Sequence, residues 1–323
     1  ELNQLDTLKL DGTKFKPTED AFIHLENLKE LHFKGIEIPK ECSNIFAPLK
    51  SLEKLEMGKT ETINYDAFKL VNNNLRELKL SHFSTIEIDK NLFENHPNLE
   101  SLDLSELNST DTFMNFTFER RKLEKYCIDL KALANLTALK SLNLSDNNLN
   151  VESDCVIFSL ENLESLDLSI SDRYKYKKRV IEFNETTFEK MKNLKVLKLK
   201  QNKIKLNGNC FLHLTQLREL DLSLTTFDTD NNDYDILSSL KQLEKFEVRG
   251  TASENWFKLY RLSELVNLKE LNISYISDDD LEQYGQMLRS KRREEGEVEP
   301  PPNPNPTVDD LVYFILRDLT KLT

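Results

Sequence analysis

Leucine recurs along the chain in a short fixed pattern, L-x-x-L-x-L, in which the second and third apolar positions alternate with polar ones. Eight residues, NLESLDLS, occur identically at 98–105 and 162–169. Weaker copies begin at residues 4 (QLDTLKL), 27 (NLKELHF), 51 (SLEKLEM), 74 (NLRELKL), 138 (ALKSLNL) and 193 (NLKVLKL). QLRELDL at 216, QLEKFEV at 242 and NLKELNI at 267 complete the series, and LTKLT at the end begins another. Most copies are 23 to 26 residues apart, with longer gaps of 40 before residue 138 and 31 before residue 193. Such a period is the mark of a stacked repeat architecture.

Alternation of apolar and polar positions is strand periodicity with one face buried, and it excludes a helix with one apolar stripe. Each strand is followed by a polar turn, an apolar residue, and then Phe or Leu about five residues before the next copy. These last positions are Phe22, Phe46, Phe68, Phe93, Leu133, Phe188, Phe211, Leu237 and Leu262. One unit alone cannot bury both its leucines and its Phe, so the units must stack, about eleven of them, into a curved solenoid. The expected fold is α/β: a parallel sheet on the concave side and irregular or helical segments returning on the convex side. A single domain over residues 1–323 is expected, a fragment without caps, with insertions at 106–130, 170–185 and 275–318.

In leucine-rich repeats, which this pattern resembles, the turn after each strand usually carries an Asn that bonds the backbone of the neighbouring turn. Only Asn147 and Asn202 supply it, while Thr13, Thr60, Ser171, Thr225 and Thr251 offer a hydroxyl instead. Ile36, Phe83, Leu107 and Ile276 offer nothing there, so stability should rest mainly on Leu and Phe packing.

This is the leucine-rich repeat pattern. The stretches NLFENHPNLESLDLS, TTFEKMKNLKVLKLKQNKI and NCFLHLTQLRELDLS resemble the typical class of animal extracellular repeats. Toll and Toll-like receptor ectodomains and secreted insect immune repeat proteins belong to that class. The resemblance implies a non-enzymatic ectodomain that binds a protein ligand or partner subunit, with a dimer among its expected states. A cytosolic adaptor, such as the substrate-recognition part of a ubiquitin ligase, is the competing expectation.

A net charge of −12 argues against nonspecific affinity for nucleic acid or anionic membranes, so no specific nucleic-acid partner is expected. No apolar run approaches the roughly 20 residues that span a bilayer, so no membrane insertion is expected in this segment. Four cysteines make no framework, but repeat register lets Cys127 and Cys155 meet on adjacent turns. A disulfide there in an oxidising compartment and a pair of buried thiols both remain open.

No phosphate-binding glycine loop and no nucleophile elbow occurs among only seven glycines, and no two of the five histidines are spaced as a metal pair. Neither catalysis nor a cofactor nor a metal is expected. Recognition by the outward faces of the strands remains. Their central column reads Lys9, His32, Glu56, Lys79, Asp103, Asn143, Asp167, Lys198, Asp221, Glu247 and Asn272. Its polar middle, Asp103, Asn143 and Asp167 among serines, suits a polar or basic partner.

The insertions add candidates. Phe113, Phe116 and Phe118, followed by Arg120 and Arg121, have the composition of an interface anchor. Tyr174, Tyr176, Lys177 and Arg179 form a local basic patch suited to an acidic partner, a polyanionic sugar or nucleic acid, or simply an exposed loop. Glycan acceptor sequences occur in the insertions at Asn108, Asn115 and Asn184. Residues 278–295 are expected to form a helix, GEVEPPPNPNP an extended break, and a second helix to start at Thr307. Between them, Arg289, Lys291 and Arg292 spell the R-x-K-R form that secretory processing proteases cleave, in a long loop resembling that of some endosomal Toll-like receptors. An extracellular or secretory-pathway setting is the favoured expectation, and the cytoplasm the alternative.

Overall fold

A computed structural model describes residues 2–60, 64–83, 91–107, 128–147, 155–171, 180–228, 236–250 and 265–273, with Ile88, Leu149, Val151, Glu152 and Leu262 between them. Two compact units are distinguished: residues 1–150 with 154–168, and residues 151–153 with 169–323.

In the first unit every repeat copy carries one strand. These are β1 (Thr7–Lys9), β2 (Glu30–Lys34), β3 (Lys54–Gly58), β4 (Glu77–Ser81), β5 (Ser101–Asp103), β6 (Ser141–Asn143) and β7 (Ser165–Asp167). They pair in parallel in this order, each repeat in the same register as the last. Leu31, Leu55, Leu78, Leu102, Leu142 and Leu166 therefore stand in one row, and all are buried. Each such side chain contributes about 1.5–3 kcal/mol through removal from water. Phe33 also turns inward, edge-on to Phe22 at 5.9 Å and to Phe46 at 6.1 Å. Among the described residues the return segments are mostly turns, with one short helix, α1 (Tyr65–Lys69), and 3-10 turns at Leu130–Leu133 and Val156–Ser159.

The second unit holds the remaining repeat strands, β9 (Val196–Lys198), β11 (Glu219–Asp221), β13 (Lys245–Glu247) and β14 (Glu270–Asn272), again parallel and in register. It also has a second parallel sheet of β8 (Val180–Asn184), β10 (Lys203–Asn207) and β12 (Thr226–Asp228), with β10 in the middle. The end of the 170–185 stretch is thus strand β8, paired with β10 along its whole length. Ile181, Phe183, Ile204, Leu206 and Phe227 are its buried side chains.

The leucine-rich repeat solenoid expected from the sequence is borne out: parallel strands one repeat apart, with few helices among the described residues. The Phe or Leu positions from Phe22 to Leu262 are all buried. The asparagine slot is filled as expected at Asn147, whose Nδ2 donates to the carbonyls of Leu104, Leu144 and Ser145 while its Oδ1 accepts from Leu107 N–H. Asn202 donates to Leu199 and Lys200, and Thr225 supplies the hydroxyl version to Leu199. At Ile36, Phe83 and Leu107 the slot is apolar and packed into the core.

A second asparagine row begins the repeats and was not expected from the sequence. Asn27, Asn74, Asn98 and Asn162 each donate Nδ2 to a carbonyl about one repeat earlier, of Asn3, Lys50, Asn73 and Thr137. Asn267 does the same to Lys241 in the second unit. The turns after the strands share another trait, a left-handed residue, at Gly12, Gly35, Lys59, His82, Glu106, Asp146, Gln201, Leu224 and Gly250. Where this residue is not glycine the conformation costs about 1 kcal/mol, which stacking must offset.

Candidate binding surface

Register turns one-repeat spacing into contact. On the outward face of the first unit, Lys9, His32, Glu56, Lys79, Asp103, Asn143 and Asp167 are successive neighbours, one per strand. The face divides into two chemically different parts.

Across β2–β4 the long side chains are paired off. Lys54 bridges Glu30 and Glu77, at 3.2 Å each, and these hydrogen bonds raise its own pKa. Lys34 lies 2.8 Å from Glu56 Oε1, and Lys79 reaches both Glu56 at 3.7 Å and Asp103 at 3.0 Å. Burial works against the charge on Glu56, yet hydrogen bonds from Lys34 and His32 hold its carboxyl below the usual range. Burial likewise opposes the charge on Lys79, and Asp103 and Glu56 outweigh it.

Across β5–β7 the outward residues are short. Ser101, Ser141 and Ser165 form one row and Asp103, Asn143 and Asp167 the next. The structure thus brings these three candidates side by side. Asp103 Oδ1 accepts from Ser105 N–H and Asn143 Oδ1 from Ser145 N–H, so the D-L-S and N-L-S letters are turn-forming. The hydroxyls of Ser101, Ser141 and Ser165 and the Nδ2 of Asn143 have no protein partner among the described residues.

In the second unit the outward face is again paired: Lys245 lies 3.0 Å from Glu247, and Arg249 3.6 Å from the same carboxylate. Asp221 Oδ1 accepts from Ser223 N–H, the same turn as at Asp103.

Other candidates fall elsewhere. Asn184 ends β8; its Oδ1 accepts from the hydroxyls of Thr186 and Thr187, which leaves Nδ2 without a protein partner among the described residues. Cys155 is half-buried ahead of the 156–159 turn. Phe113, Phe116, Phe118, Arg120, Arg121, Tyr174, Tyr176, Lys177, Arg179, Asn108, Asn115, Cys127, Arg289, Lys291 and Arg292 lie outside the described residues, as do the 278–295 helix and the helix from Thr307. Among the described residues no helix is long and apolar enough to cross a membrane.

The absence of a metal pair among the histidines does not extend to mixed ligands. Asp11, His32 and Glu56, from three consecutive repeats, place ligand atoms within 4.8 Å of one another. Spacings of 21 and 24 residues match no short metal motif, and only in-register stacking brings them together.

Two family models match the sequence, "Leucine rich repeat" over residues 179–226 and "BspA type Leucine rich repeat region (6 copies)" over residues 36–155. No curated protein matches. Among solved structures, the Arabidopsis receptor kinase HAESA, crystallised with the peptide hormone IDA and the co-receptor SERK1, is 19% identical with a TM-score of 0.57. That match covers 84% of this chain and 42% of HAESA's. The internalin inlF of Listeria monocytogenes is 20% identical, with a TM-score of 0.49 over 88% of this chain and 85% of its own. TLR13, solved with ssRNA13, is 22% identical with a TM-score of 0.43, over 84% of this chain and 43% of its own. The chain spans less than half of HAESA and of TLR13, and at 19% identity the likeness to HAESA is one of fold.

Proposed function

We infer that this chain, a leucine-rich repeat protein, is a non-enzymatic recognition scaffold that binds a polar or basic protein segment on the outward face of β5–β7. One observation carries the reading. On β2–β4 and on β13 the outward charges are already paired, whereas β5–β7 present short side chains with open hydrogen-bonding groups. A strip of Ser101, Ser141 and Ser165 beside Asn143 admits a ligand backbone closely. Along the row of Ser101, Ser141 and Ser165 a ligand meets hydroxyls rather than ion pairs, which lowers the desolvation cost that the neighbouring strands would impose.

The favoured setting is extracellular, as part of a receptor-type or secreted immune ectodomain. In that setting Cys127 and Cys155 are joined, Asn184 carries a glycan on its open Nδ2, and the chain is cut after Arg292. Peptide mapping of protein secreted from animal cells tests these together. A chain with free Cys127 and Cys155, an unmodified Asn184 and no new terminus at Arg293 would contradict the extracellular reading and favour the cytosolic adaptor.

Panning a random-peptide library against the chain and against Ser141→Arg tests the binding face. Enrichment of basic or hydroxyl-rich peptides on the parent alone is expected. Equal enrichment on both proteins would overturn the assignment of this face.

A further inference from the structure

His32 stands between two carboxylates. Its Nε2 lies 2.8 Å from Glu30 Oε1 on its own strand, and its Nδ1 lies 2.8 Å from Glu56 Oε2 on β3. A neutral imidazole carries one N–H and one lone pair, so it satisfies only one of these contacts. The other would set two lone pairs against each other at hydrogen-bonding distance, unless a second proton or a cation lies between them.

The surroundings suit a cation. With Nε2–H donating to Glu30, the tautomer is fixed and Nδ1 turns its lone pair toward Glu56, the arrangement by which a carboxylate commonly orients a metal-bound histidine. The side chains of His32 and Glu56 are 12% and 13% exposed, so both are held by their surroundings. Asp11, exposed in the turn after β1, completes the cluster, and its Oδ1 is already fixed by the N–H of Lys34. Ligands bound at zinc distances to one tetrahedral ion lie about 3.4 Å apart, so the 2.8 Å contact needs to open by only about 0.6 Å. Lys34 and Lys79 sit on the other oxygen of Glu56, Oε1, and leave Oε2 to the imidazole.

We propose that Asp11, His32 and Glu56 form a binding site for a divalent transition metal, zinc in the first instance, with Glu30 as the positioning residue for the imidazole. One nitrogen and two carboxylates leave a fourth position for water or for an acidic group of a partner. The site lies on the same outward face as β5–β7 but does not depend on the recognition reading. Lys34 is a built-in competitor, because its ammonium shares Glu56 with the metal.

Calorimetric titration of the whole chain with zinc chloride at neutral pH tests this. Binding of one zinc per chain is expected, weakened at least tenfold by His32→Asn and by Asp11→Asn. Lys34→Met, which removes the competing charge, should tighten it. Cobalt substitution should give visible absorption bands that His32→Asn abolishes. Absence of zinc binding, or binding unchanged in both His32→Asn and Asp11→Asn, would overturn the site and leave a doubly protonated His32 as the account of its two contacts. Asp11 is exposed, so its variant reports even where His32→Asn disturbs folding.

Discussion

His96 sits where the other repeats place an apolar residue three positions after their Phe or Leu: Leu25, Leu49, Val71, Leu136, Met191, Leu214, Leu240 and Leu265. It is fully buried, stacks on Phe68 with ring centroids 4.9 Å apart, and neither ring nitrogen has a hydrogen-bond partner among the described residues. Burial pushes its pKa down to about 4 from 6.5. The folded chain therefore holds this imidazole neutral, while the unfolded chain binds a proton below about pH 6.5. Stability is full above that pH and is lost as pH falls from 6.5 toward 4, by up to about 1.4 kcal/mol per pH unit. His96→Leu should raise the melting temperature at pH 5 more than at pH 8; thermal melts at the two pH values check this, and an equal shift at both would contradict it. The position was legible in the sequence, since three residues after Phe93 is a core slot. Its consequence was not, because only the structure shows both ring nitrogens buried without a hydrogen-bond partner among the described residues. The asparagine row from Asn27 to Asn267 escaped for a similar reason. A residue just before the first Leu reads as surface until stacking shows the carbonyl beneath it.

At the scale of elements, each repeat strand is specified twice, by its inward leucine and by its register with both neighbours. Leu102 and Leu166, inward on β5 and β7, are 1% and 0% exposed. A charge placed there has no partner, and an unpaired buried charge costs on the order of 3–5 kcal/mol. Because a repeat is held by its neighbours, the loss should spread: Leu102→Asp should strip hydrogen-exchange protection from β4, β5 and β6 together. Loss confined to β5 would contradict coupled stacking. Asp103→Asn keeps the Oδ1 bond to Ser105 N–H and should leave the melt nearly unchanged. The repeat strands and the Phe positions were readable from the sequence because their period is strict. The second sheet was not, because RVIEFN falls in the 170–185 insertion and NKIKLN and TTFD in the irregular segments after the repeat strands. Their alternation becomes a buried row only when three consecutive turns align, as Ile181, Ile204 and Phe227 do.

At the scale of the molecule, a net charge of −12 says little by itself, because much of the outward charge on the described strands is paired. What distinguishes β5–β7 is the row Ser101, Ser141 and Ser165 beside the Nδ2 of Asn143, open among the described residues although Asp103 pairs with Lys79, and the sequence hinted at it through serines beside Asp103, Asn143 and Asp167. Their adjacency was legible from the repeat, whereas the open hydroxyls and the saturated strands beside them required side-chain geometry. The central claim is that recognition occurs on this strip. Its most direct test is a calorimetric titration of a peptide selected on the parent chain against the parent, Ser141→Arg and Lys205→Glu, the last on β10 in the second sheet. The account predicts that Ser141→Arg weakens binding more than tenfold, at least about 1.4 kcal/mol, while Lys205→Glu binds as the parent does. Equal affinity for the parent and Ser141→Arg, with binding lost in Lys205→Glu, would contradict it.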